Sequence, residues 1–212
     1  MSRPRKVRKD AEANRERLLA SAAAAVLREG RHVPLATIAA EAGLGIGTLY
    51  RSYADRDALL QALEHRAYGL LNSLLDRIEA DEDCTGLDAV ARYLEGTVDL
   101  ADQLVLPLHG APPLVTPEAV AARKSIYRRL GFFLATGRAD GSIRGQVNAT
   151  DLIAFSTLLT QPKAAVLDWT HLARRQIAHF LNGIATAGPR EVPGPAVERE
   201  EVEQAFESTA KS

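Results

Sequence analysis

Between Gly45 and Arg56 the chain carries a run of small, hydroxyl and cationic side chains: Gly45, Ile46, Gly47, Thr48, Tyr50, Arg51, Ser52 and Arg56. These groups suit recognition of a polyanion. A guanidinium such as that of Arg51 can donate two hydrogen bonds to a guanine edge or one to a phosphate. Hydroxyls reach phosphate oxygens, and glycines let a helix lie close in a groove. A second cationic set, Arg3, Arg5, Lys6, Arg8 and Lys9, fills the first ten residues with almost no apolar content. Such an arm is disordered alone and gains order on a phosphate backbone or in a minor groove.

Other chemistries lack their residues. There is no GxSxG elbow, no HExxH and no His-x3-His pair, so the sequence predicts neither catalysis nor a metal or other cofactor. Cys84 is alone, which excludes an intrachain disulfide. The run Gly43-Leu44-Gly45-Ile46-Gly47 follows a helical pattern instead of a strand, and no lysine follows it, so it is not a phosphate-cradling loop. No apolar run approaches the roughly 18 residues of a membrane span, and no signal-peptide core is present. A cytoplasmic protein without a membrane partner is expected.

Net charge is −1 over 212 residues, which taken alone argues against nucleic acid. Its distribution argues the other way. Residues 1–60 hold 11 Lys and Arg against 7 Asp and Glu, whereas the remainder holds 15 against 20. A basic end on an acidic body is expected when one module faces a polyanion and the other does not.

The elements that must position these residues are helical throughout. Leu18, Leu19, Ala22, Ala23, Val26 and Leu27 form an apolar stripe on a helix over 14–29, ended by Gly30. Leu35, Ile38, Ala39 and Ala42 mark a second helix with Pro34 at its start, and Gly43 supplies the left-handed turn that ends it. Leu49 and Tyr53 then face inward one turn apart, leaving Gly47, Thr48, Tyr50, Arg51 and Ser52 outward. Residues 34–53 read as a helix-turn-helix. Asp55 caps a long helix over 56–79, suited to tie the head to a second domain. Further helices are predicted over 86–106, 117–137, 152–160 (opened by an Asn148–Asp151 capping box) and 169–187 (capped by Asp168). The prediction is an all-α chain: a basic arm (1–11), a DNA-binding head (12–71), a helical body (81–187) and a flexible acidic tail (188–212).

The stretch IAAEAGLGIGTLYRSYADRDALL, Ile38 to Leu60, resembles the helix-turn-helix and fourth-helix start of TetR/AcrR-type transcriptional regulators. Farther on, ARYLEGTVDLADQL from Ala91 and RADGSIRGQVNATDL from Arg138 resemble an actinobacterial, SbtR-like subgroup. The resemblance implies a homodimer on a palindromic double-stranded operator, usually a repressor released by a small molecule. By position it implies phosphate contacts from Tyr50 and Arg56, and base-edge and backbone contacts from Gly47, Thr48 and Arg51. Pro34 stands where the family often has a capping threonine, Ser52 where histidine or asparagine is usual, and Ala54 where proline is usual. An effector pocket is expected between the fourth helix and the helices after it, with Tyr68, Arg92, Tyr93, His109, Tyr127 and Trp169 as candidates. Phe155, Leu158, Leu159, Leu172, Gln176, His179 and Phe180 are candidates for the dimer interface. The competing readings are a helical-bundle enzyme and an effector-independent DNA-binding regulator.

Overall fold

The computed structural model describes residues 3–106, 115–144, 146–161 and 168–188, with side chains from residue 12 onward. Eight α-helices form among the described residues: α1 (Arg3–Glu29), α2 (Leu35–Glu41), α3 (Ile46–Ser52), α4 (Arg56–Glu79), α5 (Gly86–Asp99), α6 (Pro117–Ala139), α7 (Ala149–Thr160) and α8 (Trp169–Ile184). Two compact units emerge, Met1–Leu70 with Asp102–Arg123, and Leu71–Ala101 with Lys124–Ser212. The division runs through α4 and α6. Asp102–Arg123, which a linear reading assigns to the C-terminal bundle, is grouped with the N-terminal residues.

In the first unit, Leu18, Leu19, Ala22, Ala23 and Val26 of α1 bury against Ile38, Ala39 and Ala42 of α2, Leu49 of α3, and Leu59, Leu60 and Leu63 of α4. The turn between α2 and α3 is a Schellman motif. Gly43 sits at φ +66°, its N–H donates to the Ala40 carbonyl, and the Leu44 N–H donates to the Ala39 carbonyl, both at 2.9 Å. Asp55 caps α4 by accepting from the Ala58 N–H at 2.7 Å. One expectation changes: α1 starts at Arg3, so the basic arm is a helical extension of it and the helix does not begin at residue 14. Residues 5–13 are mostly straight-chain Arg, Lys and Glu with Ala, all good helix formers, and Pro4 falls in the tolerated first turn.

In the second unit α5 packs against both α7 and α8. Its first turn is pinned at close range. A Cβ on Gly86 would overlap the Gly137 backbone near the end of α6, and the Gly86 N–H donates to Asp140 Oδ2 at 2.8 Å. Asp140 also accepts from the Ser142 N–H at 2.8 Å, which shapes the turn after α6. Arg129 of α6 is largely buried and fastens to the α4 residues Glu79 (2.6 Å from Nε) and Asp76 (2.8 Å from Nη2). The Asn148–Asp151 capping box opens α7, and Asp168 caps α8 by accepting from the His171 N–H at 3.0 Å.

Two helices end short of expectation. α5 stops at Asp99, not 106; Ala101–Gln103 tighten into a 3-10 turn and Val105 buries in the first unit's core. α8 stops at Ile184, not 187, because the Arg144 and Thr186 N–H groups bond to the Ile184 and Ser142 carbonyls at 2.7 and 3.1 Å. The resulting antiparallel bridge, Ile143 to Ala185, had no strand-like signal in the sequence. The segments 107–113 and 189–212, expected to be a proline-rich break and an acidic tail, lie outside the described residues.

Gly86→Ala should destabilise the protein by about 3 kcal/mol in urea unfolding, since backbone fills the space a methyl needs. A loss within 0.5 kcal/mol would show that α5 and α6 can separate at little cost. Asp140 makes a second prediction. The Gly86 N–H, then the Ser142 groups, hold its carboxyl below the ordinary 3.8. A depressed carboxylate stabilises above its unfolded pKa, and that contribution is lost as pH falls through the folded value. Asp140→Asn should therefore lower Tm at neutral pH and flatten the acid limb below 3.8. An acid limb as steep as wild type contradicts this.

Candidate nucleic-acid interface

α3 is seven residues long, and Leu49 is its buried residue. Leu49 is 0% exposed, whereas Tyr50 one position on is 55% exposed. Gly45, Ile46, Gly47, Arg51 and Ser52 are also exposed, and Thr48 is half-buried at their edge. Every α3 residue read from sequence as outward-facing is on or at the edge of this surface. Tyr53 terminates the helix with its ring buried; its hydroxyl accepts from Arg15 Nε at 3.2 Å, and the same guanidinium lies over the ring at 5.7 Å from its centroid. A Cβ on Gly47 would meet no atom within 4 Å. Packing within the chain therefore does not require glycine there, although glycine weakens a helix by about 1 kcal/mol relative to alanine. The residue keeps the outer face low.

The polar groups on this face are poised in a specific way. Arg51 Nη2 donates to Thr48 Oγ1 at 2.9 Å, one turn back along α3. The two side chains expected to read bases thus hold each other, and contact with a base edge would exchange this bond for another. Ser52 Oγ donates to the Thr48 carbonyl at 3.0 Å. Arg56 is half-buried, and its Nη1 donates to the carbonyls of Arg31 at 2.9 Å and Val33 at 2.6 Å. Arg5, Lys6 and Arg8 lie on the first turns of α1, with side chains outside the described residues.

The described residues proposed to meet an effector each take part in a different pairing. In the first unit Tyr68 is buried, its hydroxyl accepting from Arg123 Nη1 at 3.3 Å; burial pushes its pKa up to about 12, against the pull of Arg123. Arg123 Nη1 also lies 3.4 Å from Glu64, itself fully buried. In the second unit Tyr93 is buried and shares a hydrogen bond with Ser156 at 3.3 Å. Arg92 is exposed and paired to Asp81 at 2.6 Å. Tyr127 is exposed near Thr150 (3.3 Å), and Trp169 Nε1 donates to the Leu159 carbonyl at 2.6 Å. His109 lies outside the described residues.

Of the interface candidates, Phe155 and Phe180 stack at 4.4 Å between α7 and α8, both half-buried. Leu158, Gln176 and His179 are exposed and Leu172 is half-buried. Leu159 differs: at 4% exposed it belongs to the chain's own core. The apolar pattern alone could not separate it from its neighbour Leu158.

Sequence reasoning missed three groups. Arg15 braces the end of α3. Arg66 joins α1 through Glu16 (2.6 Å) to Gln103 (2.8 Å), and its Nη1 is buried without a partner. Glu64 sits buried beside Arg123. Charged residues inside amphipathic helices gave only the signal that Glu64 stands in a leucine-rich stretch. A groove of about 680 Å³, lined by Arg15, Glu16, Tyr53, Gln61, His65 and Arg66 among others, runs over this part of the first unit. Among the described residues no group of three His, Cys, Asp or Glu could hold a metal ion.

No model of a protein family matches the chain. Over 106 residues it is 33% identical to the HTH-type transcriptional repressor LfrR of Mycolicibacterium smegmatis, a match covering 50% of this chain and 55% of that repressor. The chain thus spans about half the length of this curated relative. Among solved structures, the TetR transcriptional regulator SCO0520 of Streptomyces coelicolor superposes with a TM-score of 0.60 at 26% identity, covering 82% of this chain and 99% of the other. AibR, solved in complex with isovaleryl coenzyme A and operator DNA, superposes at 0.60 with 16% identity, covering 78% and 97%. A helix-turn-helix head and a C-terminal helical bundle, in this order and at this likeness, are the fold of the TetR transcriptional regulators.

Proposed function

We propose that the protein is a DNA-binding transcriptional regulator: a homodimer that represses from a palindromic operator and is released by a small molecule. The observation that carries this reading is the outer face of α3, where Gly47, Thr48, Tyr50, Arg51 and Ser52 are presented around one buried leucine. A low, hydroxyl-rich helix face with one guanidinium fits a major groove about 12 Å wide, with Arg51 as the base reader. Tyr50 and the cationic first turns of α1 would add phosphate contacts.

Dimerisation follows from the operator's geometry, since two heads must meet half-sites one turn apart, about 34–36 Å. The exposed Leu158, with Phe155, Phe180, Leu172, Gln176 and His179, is the surface we assign to the partner copy. Release by an effector is supported by the relatives' fold and by AibR, whose structure holds both an acyl-coenzyme A and DNA. Tyr68, Arg92, Tyr93, His109, Tyr127 and Trp169 are kept as equal candidates for effector contact. We place the chain near the SbtR-like subgroup and in the bacterial cytoplasm, at the nucleoid when bound to DNA.

Fluorescence anisotropy with the upstream intergenic DNA tests the reading, which expects selective binding that falls steeply with salt. Equal binding to unrelated DNA, or none, overturns it. Arg51→Ala should weaken operator binding about 10- to 100-fold and relax preference at one base pair, equivalent to about 1–3 kcal/mol. Tyr50→Phe should weaken binding modestly on all sequences. Leu158→Glu should leave the far-UV spectrum unchanged and shift the protein to a monomer in sedimentation. A persistent dimer would remove α7 from the interface.

A further inference from the structure

Arginine is electrostatically misplaced at position 56. It is the first residue of α4, where unpaired N–H groups and the helix dipole already place partial positive charge. Asp55 and Asp57 beside it offset that charge. Yet the side chain does not extend into water, where a phosphate would meet it. It is half-buried and turns back along the chain, Nη1 bridging the carbonyls of Arg31 and Val33 at 2.9 and 2.6 Å.

Those two carbonyls occupy the connection between α1 and α2. Gly30, at φ +88°, ends α1, and Pro34 is the N-cap of α2. Proline has no side-chain acceptor, and α2 begins without any side-chain cap hydrogen bond. Its entry rests on the Pro34 carbonyl, which accepts from Thr37 and Ile38 N–H at 3.0 and 3.3 Å. A seven-residue helix with no side-chain cap at its N-terminus needs restraint there from its surroundings. Buried Val33 and the Arg56 bridge both hold the chain just before Pro34.

We propose that Arg56 is a positioning residue. By clasping the Arg31 and Val33 carbonyls it holds the α1–α2 connection to the start of α4, and so restrains the entry of α2 where Pro34 cannot. It sets the placement of the helix-turn-helix without neutralising a phosphate. The consequence for DNA rests on the function proposed above; the clasp itself does not.

The test separates the two. Arg56→Met keeps most of the stem and removes the donor. In free protein, hydrogen exchange at the Thr37 and Ile38 amides should accelerate at least tenfold relative to amides of α8. On the operator, affinity should fall while the slope of log K against log salt stays at the wild-type value, because no phosphate contact is lost. A phosphate contact would lower that slope by about one. Arg56→Lys guards against misfolding of the first variant: it keeps the charge but reaches one bond less, and should also lose amide protection. Unchanged protection in both variants, or a slope lowered by about one in Arg56→Met, overturns the proposal. If wild-type protein fails to bind DNA, the regulatory reading falls while the exchange measurement still decides the clasp.

Discussion

A helix of seven residues cannot hold itself in water, because nucleation is unfavourable and too few bonds follow it. α3 exists because Leu49 is buried in the core to which α1, α2 and α4 contribute and because Tyr53 anchors its end. Both residues are nearly inaccessible, and Tyr53 is braced from α1 by the Arg15 guanidinium. The outer face follows from that one insertion. With Leu49 inward, the 100° step of the helix leaves Gly47, Thr48, Tyr50, Arg51 and Ser52 nowhere to go but outward. The surface that α3 presents is positioned by an apolar side chain buried beneath it.

The surroundings of α3 show a division of labour between charge and burial. Arg15, Arg56 and Arg66 are cations of the first unit, yet each is turned to the protein: to a phenol, to two carbonyls, and to a carboxylate with an amide. Charge counting over residues 1–60 therefore overstates the free cation, since Arg56 is half-buried on two carbonyls and Arg15, though exposed, is engaged by Tyr53. Arg51 and the first turns of α1 carry the electrostatic reading. In the second unit, close approach takes the corresponding role. Gly86 against Gly137 and Gly96 against Leu74 let helix backbones and side chains meet where a methyl would collide.

Much of this was legible in order along the chain. The glycine turn at Gly43, the inward pair Leu49 and Tyr53, the Asp55, Asn148 and Asp168 caps and the full length of α4 all follow from local rules, which act within a few residues. What failed was of another kind. α5 was read too long because Ala101 and Leu104 continue its apolar spacing, whereas Ala101–Gln103 form a 3-10 turn and Val105 buries in the first unit's core. α8 was read too long because the backbone around Ala185 pairs with Ser142–Arg144, about forty residues away. α1 was read too short because a dense cationic run suggested disorder, whereas its residues are good helix formers continuous with a packed helix.

The sequence by itself determined the all-helical class, the helix-turn-helix and which residues of α3 face out, because periodicity and capping are local. Tertiary structure alone decided which arginines remain at the surface, that Leu159 is core while Leu158 is exposed, and that the described candidate effector residues each take part in a different pairing. These depend on which groups lie within about 3–4 Å after folding, and a pattern along one helix carries no information about the partner opposite. Arg56 shows the difference most sharply: its position in the motif pointed to a phosphate, and its hydrogen bonds point to the chain.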